Sequence, residues 1–520
     1  MRRLNNSNEL KIGAFLSYVQ TGAQILVALL YTPVMLRILG QNEYGLYNTI
    51  SSTISMLSVL SLGFSNAYIR FYARYKVNEE KEKIERLNGL FLLVYFIIGI
   101  IAFLCGLYLS FNLKLVFDEG LTAEELEKAK IMMILLALNL GISFPMSTFT
   151  SYINAHERFS FIYAINIVKI VCSPFVQIPL LLMGFGAVGM TAVIFAFNMF
   201  VNLAEVIYSI KKLNFRMKLG HWEKGLFKSL FLFSSLIAIN VIVDQVNNSL
   251  DSVLLGRFCG TAEVAVYSIG ATFCGYYTIF STSISTVFIP RIHKIVNSVQ
   301  DKLEQNRQLT EIFIKVGRIQ YLVLALVCSG FIVFGRAFIA LWAGEGYEAS
   351  YWVALCRMVP ATVALIQNAG IEIQRAKNVH QYRAYSMIVM ALVNLVLTIF
   401  LCQRWGAVGA SAATGIAAIL CDLFLLNWFY YKKTGINVFR FWKNILRQSA
   451  GLIVPCICGF FIARYASMQS YITLALWIVV YAAVYVLNIW FLSMNRSEKD
   501  LVLGVVNRFT SKLKKKGNTQ

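Results

Sequence analysis

Long runs of apolar residues, separated by short polar or basic segments, recur along almost the whole chain. A helix rising about 1.5 Å per residue needs roughly 18 to 25 apolar residues to cross a bilayer core of about 30 Å. On that measure the pattern predicts fourteen spanning helices, at 12–36, 44–66, 90–110, 131–153, 159–183, 187–210, 229–250, 264–288, 316–338, 351–373, 382–403, 407–430, 445–465 and 470–493. The expected fold is an all-α membrane protein. One stretch, 229–256, breaks the uniform apolarity: Asn240, Asp244, Asn247, Asn248 and Asp251 recur at spacings of three and four, which sets them on one helical face. A single Asp at the bilayer centre costs about 2.5 to 3.5 kcal/mol on insertion scales. That face therefore looks into protein or water.

Composition agrees with the pattern. The 520 residues are 58% hydrophobic and only 14% charged, with a mean hydropathy of +0.64, outside the range of soluble domains. A net charge of +21 suggests nucleic acid until its distribution is examined. With the N-terminus inside, and basic residues near span ends counted with the adjoining segment, the eight inner segments hold 37 Lys and Arg and the seven outer loops hold 8. That is the positive-inside signature of a plasma-membrane protein with both termini cytoplasmic, and no nucleic-acid partner is expected. The basic tail, with Lys512, Lys514, Lys515 and Lys516, reads as an anchor for anionic membrane lipid. The lead Met1 to Lys11 enters a span too long for a cleavable signal, so it should stay attached. Of the ten cysteines only Cys259 falls in an outer loop, so no disulfide framework is indicated; Cys456 and Cys458 read as packing, not as metal ligands.

The spans contain a repeat. Gly186-Ala187-Val188-Gly189 recurs as Gly406-Ala407-Val408-Gly409, and Leu39-Gly40 with Glu43 and Tyr47 recurs as Leu255-Gly256 with Glu263 and Tyr267. Pro145 and Pro360 also correspond. Equivalent positions lie six helices apart, so the halves share one orientation. This predicts two six-helix lobes in parallel repeat, 10–218 and 224–436, a terminal helix pair at 440–495, and a cytoplasmic tail at 496–520.

At these residues the sequence resembles the Wzx-like oligosaccharide flippases of the multidrug/oligosaccharidyl-lipid/polysaccharide exporter superfamily. The resemblance is carried by Leu39-Gly40 with Glu43-Tyr44-Gly45-Leu46-Tyr47, by Gly63 with Ala67 and Arg70, by Asp251 ahead of Leu254-Leu255-Gly256, and by the two Gly-Ala-Val-Gly openings. Ala265 departs from it, standing where the family has glycine, which bears on packing more than on cargo. The resemblance implies a MATE-like pair of lobes rocking about a cavity lined by spans one, two, seven and eight. It also implies a cargo: undecaprenyl-pyrophosphate-linked oligosaccharide, moved from inner to outer leaflet of the bacterial plasma membrane for surface polysaccharide assembly, with other assembly proteins as partners.

Candidate residues follow from charge inside the spans. Asp244 reads either as a protonatable or sodium-binding switch or as part of an interhelical hydrogen-bond stripe; Asp251, able to reach the outer interface, leans to the structural role. Asp422, aligned with Asn202 across the repeat, is a second coupling candidate. Lys169 lies about 15 Å into its span, too deep to snorkel, and needs an acid such as Asp244 or Glu205, or an anion such as pyrophosphate. Arg357 can reach the outer interface or, facing a cavity, take a phosphate or acidic sugar. Arg37, Arg70, Arg257 and Arg291 stand at helix ends, as interface anchors singly or as an anion path together. All four histidines fall in cytoplasmic segments, so no histidine relay crosses the membrane. Proton or sodium coupling is the one cofactor-like requirement. The competing readings are a cation-coupled multidrug antiporter of the same fold and a membrane glycosyltransferase or polymerase. The latter is disfavoured by short outer loops and by the lack of nucleophile, zinc or phosphate-loop motifs. The counterparts of the span-seven stripe in span one are Gln24, Ala28, Tyr31, Thr32 and Met35, so the carboxylates belong to one lobe only.

Overall fold

The computed structural model describes residues 2–117, 120–220, 225–379, 381–501 and 503–504. His221, His380 and the lysines of the basic tail lie outside the described residues. All regular structure among the described residues is helical: α1 (Arg2–Met56), α2 (Phe64–Val77), α3 (Lys81–Phe111), α4 (Leu113–Phe117), α5 (Ala123–Ala155), α6 (Phe159–Leu182), α7 (Gly186–Lys211), α8 (Leu226–Phe258) and α9 (Thr261–Ser285). There follow α10 (Ile289–Ser298), α11 (Lys302–Trp342), α12 (Ala349–Leu365), α13 (Asn368–Ala376), α14 (Gln381–Ala418), α15 (Leu426–Phe429), α16 (Val438–Ser449), α17 (Ile453–Tyr465) and α18 (Tyr471–Leu492).

Among the described residues nine helices are long and apolar enough to cross a membrane, or ten with the bent pair α12 and α13. The difference from fourteen has a physical origin. α1 holds two of the expected spans and turns between them at Gly40, whose φ of 75° is a left-handed value open to glycine. α14 likewise turns at Gly406, with φ 54°. α8 and α9 are helical where two further spans were expected.

Two compact units emerge. The first comprises residues 1–269 with 391–413, and the second 270–390 with 414–520. In the first unit, Leu46, Ile50 and Ile54 of α1 pack with Phe117, Met132, Met133 and Ala187 at one end. At the other end an aromatic cluster joins Tyr68, Tyr72 and Tyr75 of α2 to Phe91 and Tyr95 of α3. A side chain at Gly99 of α3 would run into the backbone of Gly141 on α5, so glycine there lets the two helices touch. In the second unit one core spans α9 to α16, centred on Phe313, Met358, Ile373, Tyr430 and Phe441.

The repeat seen in the sequence is one structural device used twice. Glu43, on α1 beyond its turn, accepts a hydrogen bond at 2.9 Å from the backbone N–H of Ala187, capping α7. Glu263, on α9, accepts from the N–H of Ala407 at 2.6 Å, capping the second part of α14. A Cβ on Gly186 or Gly406 would land on the capping carboxylate, which explains the glycine that opens each motif. The two motifs of each half are thus bonding partners, and a carboxylate at a helix N-terminus meets both its free N–H groups and its dipole.

These contacts also sort the connections. Lys128 pairs with Glu43, Thr261 donates to Glu125 and Gly120 abuts Gly256 and Arg257, so the loops expected outside meet at one end. Lys218 bonds Glu85 and His156 bonds Tyr72, so the loops expected inside meet at the other.

Candidate functional site

The polar groups of α8 point two ways. On one side Gln245 Nε2 donates to Ser55 Oγ at 2.9 Å and to Ser249 Oγ at 2.6 Å. Ser55 and Ser249 lie 2.9 Å apart, so these residues tie α8 to α1. On the other side Asp251, with no exposed surface, accepts from Tyr267 OH at 2.6 Å, from Asn394 Nδ2 at 3.3 Å and from Thr398 Oγ1 at 3.2 Å. Thr398 also bonds Asn394 Oδ1 at 3.2 Å. α8, α9 and the first part of α14 therefore share one buried oxygen-rich cluster. A carboxylate held by three donors does not carry the full cost of burying a charge.

The stripe of the sequence is not uniform. Asp244 is exposed and Asn247 half-buried, whereas Asp251, one heptad on, sits in the cluster. The side chains of Asn240 and Asn248 lie outside what the structure describes. Sequence reasoning missed Tyr267, Asn394 and Thr398 as partners of Asp251. The signal was present, because Asn394, Thr398 and Cys402 recur every four residues on an otherwise apolar span. It also passed over Gln245 and Ser249, which stand four apart beside the stripe.

Lys169 is half-buried on α6, and its Nζ donates to Asn198 Oδ1 of α7 at 2.6 Å. No carboxylate lies within ion-pair distance of it among the described residues; Glu205 of α7 is instead buried and bonded by the Thr150 hydroxyl of α5. Asn202 donates to Ser143 Oγ at 3.4 Å. Its counterpart in the repeat, Asp422, is half-buried in the second unit on a π-helical stretch, Ile419–Leu425, within electrostatic reach of Arg383. Single π turns inside helices recur at functional positions.

Arg357 is half-buried on α12 with its guanidinium against the Cys274 thiol of α9. Arg37, Arg70 and Arg291 are exposed, and Arg257 is half-buried with its guanidinium 5.7 Å from the Phe258 ring. Arg37 and Arg257 stand at helix ends expected outside, Arg70 and Arg291 at ends expected inside.

A helical chain with many apolar helices, a duplicated helix cap and buried polar clusters is a multi-pass membrane protein with a MATE-like fold. The chain belongs to the polysaccharide biosynthesis protein family, whose model matches residues 10–296. Its fold is similar to that of the lipid II flippase MurJ in an inward closed conformation, with a TM-score of 0.70 and 17% identity over 94% of this chain and 100% of that one. It is also similar to an inward-facing multidrug resistance MATE family transporter, with a TM-score of 0.56 and 13% identity over 79% of this chain and 96% of the other. The Vibrio cholerae MATE transporter VcmN in its bent form matches with a TM-score of 0.53 and 15% identity over 82% and 97% of the two chains. No curated protein matches it by sequence.

Proposed function

We propose that this protein is a flippase that carries undecaprenyl-pyrophosphate-linked oligosaccharide from the inner to the outer leaflet of the bacterial plasma membrane by alternating access. Membership of a polysaccharide biosynthesis family, on a fold shared with transporters, supports a lipid-linked sugar as the cargo. One observation carries its anionic character. Lys169, deep in a span, is held by the amide of Asn198 and not by a carboxylate, so its charge is left for an anion such as pyrophosphate to meet. Outward movement of a negative headgroup gains from an inside-negative potential, about 2.3 kcal/mol per charge per 100 mV.

Coupling to protons or sodium is part of the proposal. Among the candidate carboxylates, Asp251 has the surroundings for it, because its oxygens are joined by those of Tyr267, Thr398 and Asn394. Asp244, exposed on the same helix, and Asp422 remain comparison positions.

The test is complementation of a strain lacking its own oligosaccharide flippase. Lys169→Ala should abolish surface glycan at unchanged membrane abundance, and Lys169→Arg should restore part of it. Normal glycan with Lys169→Ala overturns the anionic-site assignment. Unchanged glycan with altered sensitivity to cationic drugs on deletion of the gene would favour the antiporter instead. Reconstituted flipping that ignores both ion gradients and Asp251→Asn would sink the coupling.

A further inference from the structure

Two cysteines meet where α8 ends and the first part of α14 approaches its turn. Cys259 follows the last residue of α8, and its Sγ lies 3.2 Å from the backbone oxygen of Cys402, with the two thiols in hydrogen-bond contact. Cys259 is half-buried and Cys402 buried, and both are reduced. They close the same seam as the Asp251 cluster. On α14, Asn394, Thr398 and Cys402 recur every four residues; Asp251 lies on the last two turns of α8, which end at Cys259. The spacing on α14 keeps its three residues on one helical face.

We propose that Cys259 and Cys402 form a reversible disulfide that clamps the α8–α14 seam, made and broken by thiol–disulfide exchange on the extracytoplasmic side of the membrane. The side rests on the orientation adopted above, with both termini cytoplasmic. Outside the plasma membrane disulfides form and persist, whereas cytoplasmic thiols stay reduced. The exposed edge of Cys259 makes it the attacking group, and contact with the Cys402 thiol holds its own below the ordinary cysteine value. Its thiolate attacks one sulfur of a disulfide oxidant, forming a mixed disulfide and releasing one thiolate of the oxidant. Cys402, losing its proton, then attacks the Cys259 sulfur, closing the protein disulfide and releasing the second thiolate. The two protons from the cysteines end on the two released thiols, so the protein loses two hydrogens and the oxidant becomes two thiols.

The link joins α8 to α14 beside Asn394 and Thr398. Any motion of the seam that opens the Asp251 cluster is then blocked in the oxidised form and free in the reduced one.

The experiment uses the full-length protein in membranes, treated with oxidised glutathione and digested without reduction. The expected product is a linked peptide pair containing Cys259 and Cys402, lighter by two hydrogens than the separate peptides and lost on reduction. Cys259→Ser and Cys402→Ser should each abolish it at wild-type membrane abundance. In complementing cells, oxidation should slow glycan export several-fold, a reducing agent should restore it, and Cys259→Ser should be indifferent to both. Free thiols at both positions after exhaustive treatment with oxidised glutathione overturn the clamp. A linked pair that leaves export unchanged in both redox states overturns its regulatory role. A separate arm isolates the orientation: in intact cells a membrane-impermeant maleimide should label Cys259 in the Cys402→Ser variant. Labelling only after the cells are broken overturns the extracytoplasmic placement while leaving the pairing to be judged by the peptide result.

Discussion

The duplicated cap gives a prediction with its own control. Glu263 accepts the Ala407 N–H at 2.6 Å, and Ala407 has no exposed surface, so no water can replace the carboxylate. A hydrogen bond to a charged group contributes about 1.5 to 3 kcal/mol, and a negative charge at a helix N-terminus adds about 0.3 to 1 kcal/mol. Glu263→Ala removes both and strands a buried donor, so the expected loss is about 2 to 4 kcal/mol. Glu263→Gln keeps an acceptor and loses only the charge, for about 0.5 to 1.5 kcal/mol. In the first half Glu43 also meets Lys128 at 2.6 Å, but both side chains are part-exposed, and Lys128 keeps Glu124 at 2.8 Å when Glu43 is changed. Such a pair is worth about 0 to 1 kcal/mol. The two halves should therefore respond alike to within about 1 kcal/mol.

For a cooperative unit of about 250 residues, 1 kcal/mol moves the midpoint by roughly 2 °C. Each alanine variant should then melt roughly 4 to 8 °C lower and each glutamine variant roughly 1 to 3 °C lower, read in detergent by fluorescence-detected size exclusion at one heating rate. A shift below about 2 °C for Glu263→Ala would show that the cap contributes nothing to the fold. Glutamine as damaging as alanine would show that charge, and not the acceptor, is what Ala407 requires.

Three further outcomes follow from other contacts. Arg318 and Glu498 form a buried pair, 2.6 Å apart and with side chains 8% and 2% exposed, so Glu498→Gln alone should cost about 3 to 5 kcal/mol and Arg318→Met with Glu498→Leu should recover most of it; equal melting of single and double variants would refute the pairing. Gly45→Ala should lower both stability and expression by about 1 to 3 kcal/mol equivalent, because the new Cβ meets the Thr261 backbone, whereas Ala265→Gly should cost no more than about 1 kcal/mol; similar shifts in the two variants would show that the close approach is not real. Burial holds the His156 imidazole below its usual value of 6.5, with Lys76 and Arg158 acting in the same direction; its folded form is neutral, so its contribution is complete above pH 6.5 and is lost as pH falls through the lower folded value, and midpoints measured from pH 7.5 to 5 should fall less in His156→Gln than in the wild type.

Much of the architecture was legible because a bilayer imposes a strict rule: every spanning segment must be long, apolar and helical. That rule made the long apolar helices legible, though not the connecting helices α2, α4 and α10, and the duplicated Gly-Ala-Val-Gly and Glu motifs revealed the repeat. What the sequence did not disclose is that these motifs bond to each other, since a contact between Glu43 and Ala187 spans 144 positions and leaves no local periodicity. Gly40 and Gly406 show the same limit, as a single left-handed residue turns the chain without interrupting a helical pattern. The polar stripe of α8 is not uniform in depth, with Asp251 buried and Asp244 exposed. Periodicity gives the angle of a residue about its helix and says nothing of what packs there.

That distinction reorders the carboxylates of α8. Asp244 lies deeper in its predicted span than Asp251, and depth alone made it the stronger switch. Packing reverses the ranking, because Asp244 is exposed while Asp251 is enclosed by Tyr267, Asn394 and Thr398. A switch needs a group whose change of charge alters contacts between elements. Neutralising or coordinating Asp251 changes what holds α8 to α9 and α14 together. The span-one counterpart of this position, Met35, is apolar and buried, so nothing equivalent exists in the first repeat. Under the ion coupling proposed above, the buried Asp251 cluster assigns the effect of the ion to the α8–α14 seam, the same seam that Cys259 and Cys402 close.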